Sequence, residues 1–263
     1  MPAIHPTAIV DSRARIADDV IVGPHAIIGP DCELGSGCVI DAFAQILGRT
    51  RVGRNNRVFS HAVLGNPPQD KKYGGEPTQL IIGDDNVFRE CVTVNTGTLQ
   101  DSGSTDIGHR NWIMAYVHIA HDCKIGSDII MANSVQLAGH VVVGDWAVIG
   151  GITGVHQFVR IGTHAMTGAG TTLLQDLPPY VMANGNPAAP HGVNSEGLRR
   201  RGFEDEVVVE LKRAYKLLYN SGKSLSEAVR ELDASMASKK ATVQDAIQPL
   251  LDFLGTSGRG IVR

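Results

Sequence analysis

The chain has 263 residues, 30 of them glycine, with only 5% aromatic residues and a formal net charge of −3. That charge gives no global attraction to nucleic acid, and no apolar run is long enough to span a bilayer. The length accommodates one elongated domain or two compact ones.

From Ile4 onward an aliphatic residue returns every sixth position, through Val10, Ile16, Val22, Ile28, Leu34, Ile40, Ile46, Val52 and Val58 to Leu64. The phase resumes at Ile82, Phe88 and Val94, and again from Ile107 through Ile113, Ile119, Ile125, Met131, Leu137, Val143, Ile149 and Val155 to Ile161. A period of six is neither helical nor that of a simple strand, and it predicts a solenoid of stacked coils. Three hexads make one triangular coil, with the aliphatics on a shared axis and glycines such as Gly23, Gly53 and Gly108 expected to ease the corners. Residues 18 apart then lie one above another. A sandwich of alternating strands would not hold phase over so many repeats. Cys32, Cys38 and Cys123 occupy the small position of their hexads and Cys91 falls one residue off it, so all four read as reduced packing residues rather than disulfide or zinc ligands. The repeat begins at Ile4, which leaves no room for a leader, and the expected compartment is the cytoplasm.

Residues 65–81 and 95–106 interrupt the period and are expected to leave the solenoid as external loops. The first carries Asp70 and Lys72, readable either as ligand contacts or as solubilising charges. The period stops near Leu173. Beyond Pro178-Pro179 and Asn184-Gly185-Asn186-Pro187, helical spacing predicts a helix from Glu204 to about Tyr219. A capping box at Ser224–Glu227 opens a second, to about Met236, and a third runs from about Thr242 to Leu254. The chain thus divides into a solenoid over residues 1–190 and a helical cap over 191–263. Arg199, Arg200, Arg201, Lys212, Arg213 and Lys216 in the cap form either a solvated face or a dock for an acidic partner.

Four histidines, His118, His121, His140 and His156, fall in the longest clean run. His121 takes an outward place in its hexad, and the 18-residue step puts Gly139 and then Gln157 in its column, flanked by His140 and His156. A lone histidine there would be inert surface. Polar groups in successive coils beside a glycine suit general-base activation of a hydroxyl by His121, with Asp122 fixing the tautomer and the Gly139 N–H stabilising an oxyanion.

The segments QDKKYGGEPT at 69–78, HIAHDCKIG at 118–126, LAGH at 137–140, GVHQFVRIG at 154–162, GVNSEGLRRRGF at 192–203 and the closing RGIVR resemble the UDP-N-acetylglucosamine acyltransferase family over essentially the whole chain. This resemblance implies a left-handed parallel β-helix with a C-terminal α-helical cap, a homotrimer with sites between adjacent subunits, and no metal or other cofactor. The implied reaction transfers an (R)-3-hydroxyacyl chain from acyl carrier protein to the glucosamine 3-hydroxyl of UDP-N-acetylglucosamine, the first step of lipid A biosynthesis. By the same resemblance His121 is the base, Asp122 its partner and Gly139 the oxyanion donor. His118, His140, Asp70 and Lys72 match positions that hold the sugar or its phosphates, and His156, Gln157, Asn194, Glu196, Arg200 and Arg201 match the nucleotide region.

Two positions depart from the family pattern. Asn95-Thr96 stands where many members have His-Arg, which leaves Asn95 as a binding residue that cannot carry charge. Ala169 stands at the position that gauges acyl length, where glycine admits a long chain and a bulky residue stops it short. Four other readings are weighed against this one. A sibling N-acyltransferase would carry an added N-terminal domain. A zinc-dependent solenoid would use three histidines across a subunit boundary, for which His118, His121 and His140 are candidates and which metal analysis would reveal. A structural solenoid would show repeated polar ladders, and an acetyl-CoA-dependent transferase would differ in donor.

Overall fold

In the computed structural model, which describes residues 1–263, most hexads are two-residue strands joined by four-residue corners. The strands form three sheets of 11, 9 and 8 strands, beginning respectively at Ala3–Ile4, Ile9–Val10 and Arg15–Ile16. All pairings are parallel except that of Val181–Asn184 with Ala189–Val193, which closes the first sheet. In the first sheet Val22 lies over Ile40, Ile40 over Val58, Val58 over Phe88, Phe88 over Ile113 and Ile113 over Met131. The second residue of each two-residue strand points to the axis, as do the small residues at the corners. Ile28, Ile40, Cys38 and Ala44 are accordingly at most 1% exposed.

The hexad glycines are not the corner residues. Seventeen non-glycine residues, among them Asp122, His140, Trp146, Phe158 and His164, adopt positive φ and turn the chain at the corners. Gly53 and Gly108 do not; a Cβ on Gly108 would lie 2.6 Å from the Gly126 carbonyl of the next coil. Glycine is therefore required by the approach of one coil to the next, not by backbone freedom. Side chains at the left-handed corner positions project outward and stack from coil to coil, as in Trp146 on His164 on Tyr180.

The two loops are shorter than the period implied. Val63–Asn66 and Gln79–Ile82 are strands, as are Thr93–Asn95 and Ser104–Ile107, so the excursions are 67–78 and 96–103. Flanking residues lacking an aliphatic in phase still pair with neighbouring coils. Both excursions replace the corner between the second and third sheets, and the corner of the next coil carries His121 and Asp122.

Four helices follow: α1 (Ser195–Arg200), α2 (Asp205–Asn220), α3 (Leu225–Met236) and α4 (Ala241–Gly255). The expected capping box opens α3, while α1 was not legible as a helix. The chain end returns to the solenoid, where Ile261 pairs with Asp176 and the Val262 N–H donates to the Asp176 carbonyl at 2.9 Å. No helix is long and apolar enough to cross a membrane.

Replacing Gly108 with alanine is expected to cost about 1–3 kcal/mol of stability by overpacking. Gly258→Ala, where a Cβ would meet nothing within 4 Å, should be silent. Thermal unfolding of the two variants at equal protein concentration checks this, and equal melting temperatures would contradict it.

Candidate active site

The strand His118–Ile119 ends at a corner where Asp122 takes φ 60°, a conformation that an Asx residue tolerates better than most. Its carboxylate is enclosed and meets only donors. Oδ1 accepts the Thr98 N–H at 2.8 Å, and Oδ2 accepts the Thr98 hydroxyl at 2.7 Å and His121 Nδ1 at 2.8 Å. The Asp122 N–H in turn donates to Thr105 Oγ1 at 2.8 Å. A buried carboxylate that only accepts requires the hydrogen of His121 to sit on Nδ1, which leaves a lone pair on Nε2.

His121 is outward in the hexad yet only 8% exposed. Its ring is flat against Gly139, where a Cβ would lie 2.5 Å from Cε1 and 2.7 Å from Nε2. No other residue fits there. The Gly139 N–H donates to no acceptor within the chain, so a free donor stands next to the imidazole.

His140 meets His121 edge-on at 5.1 Å, stacks on Phe158 at 4.5 Å, and places Nε2 3.7 Å from Asp122 Oδ2. His118 bonds Thr93 Oγ1 through Nδ1 at 2.8 Å. Its pKa is lowered, first by burial and then by His121, which favours a neutral ring. His156 is exposed, with Nδ1 turned onto the Gln157 carbonyl. Donor atoms of His121, Asp122 and His140 lie within 4.8 Å of one another. Within one chain His118 is outside that group.

The loops support this corner. Thr78 Oγ1 donates to Thr96 Oγ1 at 3.1 Å and Asn95 Nδ2 to the Pro67 carbonyl at 3.0 Å, tying one loop to the other. The NH₂ of Asn95 is thus occupied within the chain, and its buried Oδ1 has no partner. Asp70 accepts the Lys72 N–H in a turn at 3.0 Å, while the Lys72 side chain is exposed and unpaired.

The remaining expected site residues lie elsewhere on the prism. Asn194 caps α1, accepting from the Gly197 N–H at 3.1 Å, and Glu196 pairs with Arg200 at 3.3 Å. With Arg201 they line a groove of about 760 Å³ on the first sheet, floored by Ile130, Val148, Met166 and Met182. Arg201 lies over Trp146 at 5.1 Å, with a buried Nη1 that has no partner. Of the basic cap residues, Arg199 and Arg213 are paired to Asp205 and Glu210, whereas Lys212 and Lys216 are exposed and free. Ala169 is exposed on the edge between the first and second sheets. One chain therefore unites His118, His121, Asp122, Gly139 and His140, and keeps the arginine groove and Ala169 apart from them. Sequence reasoning missed Thr98, Thr105, Asp101 and Phe158. Thr98 and Asp101 lie in an excursion with no periodic signal and Thr105 in the strand that follows it, but Phe158 stands 18 after His140, in a column that the period defines.

The buried cysteines carry no reactive signature: burial pushes the Cys32 thiol up to about 11 and the Cys123 thiol to about 12, and raises that of Cys38.

Stacked hexapeptide coils bearing a buried histidine–carboxylate pair beside a bare glycine amide fit a hexapeptide-repeat acyltransferase. The family model "Bacterial transferase hexapeptide (six repeats)" matches residues 104–139, and "Udp N-acetylglucosamine O-acyltransferase; Domain 2" matches residues 176–262. A Thiobacillus denitrificans protein named acyl-[acyl-carrier-protein]–UDP-N-acetylglucosamine O-acyltransferase is 56% identical over 263 residues, all of both chains, and a Janthinobacterium protein of the same name is 52% identical over the same span. The solved UDP-N-acetylglucosamine O-acyltransferase of Moraxella catarrhalis superposes with a TM-score of 0.95 at 44% identity, covering 99% of each chain. The Francisella novicida UDP-N-acetylglucosamine acyltransferase gives 0.95 at 41%, covering 99% of this chain and 94% of that one. The chain belongs to the acyl-[acyl-carrier-protein]–UDP-N-acetylglucosamine O-acyltransferase family, and its fold is the left-handed parallel β-helix with a helical cap.

Burial, and next to it the Arg201 charge, lowers His164 from 6.5 to about 4, against an opposing pull from Asp145. The unfolded chain then binds this proton first. The His164 contribution is complete above pH 6.5 and is lost as pH falls toward 4, at about 1.4 kcal/mol per unit, which comes to about 3 kcal/mol between pH 7 and pH 4. His164→Phe keeps the stack without the titration. Its loss of stability between pH 7 and pH 4 should be smaller than wild type by about that amount in chemical unfolding at fixed protein concentration; parallel losses would contradict the assignment.

Proposed function

We propose that this enzyme transfers a 3-hydroxyacyl chain from acyl carrier protein to the 3-hydroxyl of UDP-N-acetylglucosamine, with His121 as general base. The observation that carries the reading is the His121–Asp122 pair set flat against Gly139. Nε2 of His121 takes the proton of the sugar hydroxyl as its oxygen attacks the thioester carbonyl. The new C–O bond leaves a tetrahedral oxyanion, to which the Gly139 N–H donates, an interaction worth about 10²–10³ in rate at comparable sites. Collapse breaks the C–S bond, and the imidazolium returns its proton to the departing thiolate. Asp122 stabilises that imidazolium while remaining an acceptor.

His118, His140, Asp70 and Lys72 are assigned to the sugar and its phosphates. His156, Gln157, Asn194, Glu196, Arg200 and Arg201 are assigned to the nucleotide. Arginine suits the pyrophosphate by bidentate bonding, and Asn194 acts there by holding the first turn of α1 beneath Arg200 and Arg201. Asn95 contributes through Oδ1, its NH₂ being engaged by Pro67. The working form is a homotrimer in the cytoplasm with sites between subunits. The outward first-sheet residues Trp112 and Ile130, 43% and 37% exposed and paired in register, support association between copies. The exposed Lys212 and Lys216 supply cations for an acidic carrier protein.

His121→Ala should abolish transfer from hydroxyacyl carrier protein to UDP-N-acetylglucosamine while leaving the melting temperature and oligomeric state intact. Retention of activity within about tenfold of wild type would remove His121 from the role of base, since such bases contribute about 10²–10⁴.

Ala169 lies on a different edge from its own His121, so as an acyl gauge it serves a neighbouring copy. Ala169→Gly should then favour longer donors and Ala169→Met shorter ones. Each methylene left unburied forfeits about 0.8 kcal/mol, so a two-carbon mismatch costs roughly tenfold in kcat/KM. A graded series of acyl carrier proteins checks this, and unchanged donor preference in both variants would make Ala169 a packing residue only.

A further inference from the structure

The corner around His140 contains one carboxylate that the transfer chemistry leaves unused. Asp101, near the tip of the 96–103 loop, places Oδ2 2.8 Å from His140 Nδ1. The two residues are 39 apart in sequence, so the loop reaches upward past the His121 corner to the coil above it. We propose that Asp101 is a positioning residue, a tether that orients the His140 imidazole and fastens the 96–103 loop over the His121–Asp122 pair. The inference rests on the functional reading given above and extends it.

Three contacts define the ring. Phe158 covers one face at 4.5 Å and 18°, His121 meets it edge-on at 90°, and Asp101 takes Nδ1. Stacking on Phe158 is nearly blind to a half-turn of the imidazole about its Cβ–Cγ bond, because both orientations cover the same area. The choice between them falls to Asp101. An ionised carboxylate only accepts, so Nδ1 carries the hydrogen and Nε2 is the nitrogen turned toward Asp122 and the site. The groups facing His140 are Asp101, Asp122 and His121, and none of them competes for Nδ1.

The same bond closes the loop. Thr98 anchors one side of it on Asp122 through both N–H and hydroxyl, the Gly103 N–H folds it back onto the Thr98 carbonyl at 3.0 Å, and Asp101 pins the far side. The Asp101 side chain is 43% exposed, so the bond adds little to global stability. Its effect is local: it holds the loop that encloses the Asp122 carboxylate, and it selects the nitrogen that His140 offers.

The test pairs kinetics with hydrogen exchange on full-length protein. Asp101→Ala should raise KM for the nucleotide sugar about tenfold with kcat within about threefold, because His140 touches substrate away from the reacting hydroxyl. In a His140→Ala background the same change should add nothing, the signature of one shared interaction. Amides of 96–103 should exchange faster in Asp101→Ala and in His140→Ala than in wild type. An unchanged KM, or an effect that persists undiminished without His140, overturns the proposal. Should wild type show no transfer at all, the functional reading fails instead, and exchange alone then decides: a loop equally protected in all three proteins overturns the tether.

Discussion

Everything in this molecule is subordinate to one ladder, in which a strand N–H donates to a carbonyl seventeen residues further on. His118 to Val135 and Gln136 to Thr153, both at 2.9 Å, are two of its rungs. A coil so constrained cannot lengthen a strand without shifting every later residue to the wrong face. Extra chain can leave only at a corner, and it does so twice, where the spacing of stacked residues widens from Val58 to Phe88 and from Phe88 to Ile113. Both departures use the edge between the second and third sheets. The histidine–aspartate pair occupies the next corner on that edge, so the ladder itself delivers loop residues to the pair.

The hexad phase exposed the axial core, the 18-residue columns and the His121–Gly139 juxtaposition because all three follow from periodicity. It misled where periodicity and mechanism diverge. Glycine at a regular position looks like a turn residue, whereas the tight approach of Gly108 to the Gly126 carbonyl is a packing requirement that only a second coil reveals. Turning is left to residues such as Tyr116 and Ile152, whose side chains announce nothing of the kind. The buried asparagines Asn56, Asn86 and Asn111 form another hidden device: each side chain bonds backbone of the coil above, with the Asn56 carbonyl taking the Asn86 N–H at 3.0 Å and the Asn111 carbonyl the Ile129 N–H at 2.8 Å. Their spacings of 30 and 25 residues match the two interruptions, so no fixed step could find them. Thr98 and Asp101 were hidden for the same reason, since a loop outside the repeat has no register to read.

Placing a carboxylate wholly inside the chain would be costly if it stood alone, by several kcal/mol. Asp122 avoids that cost because the Thr98 N–H, the Thr98 hydroxyl and His121 all donate to it. The requirement runs in both directions. The loop needs Asp122 to satisfy Thr98, and Asp122 needs the loop to stay solvated by protein. An imidazole positioned this way would undergo little rearrangement if charge developed on its ring, which is where a preorganised site contributes most.

A triangular prism also sets a limit on what one chain can build. Its three edges are separated by the packed axis, so residues on one edge cannot approach those on another by any side-chain motion. His121 and Gly139 lie on the edge between the second and third sheets, Ala169 on that between the first and second, and the groove of Arg201 on the first sheet beside Trp146 and His164. No pocket within one chain can use all of them; any site that did would need a second copy, with His121 of one chain facing the arginine groove or Ala169 of another. The helical cap strengthens this division. Its far end is bound to the solenoid through Asp176, whose carboxylate accepts the Arg160 N–H and the Ser257 hydroxyl, both at 2.8 Å. Helix α1 is tied through Asn194, whose Nδ2 donates to the His164 carbonyl at 3.1 Å and whose N–H donates to the Tyr180 carbonyl at 2.8 Å. The distance of the α1 arginines from the His121 corner of the same chain is a property of the fold.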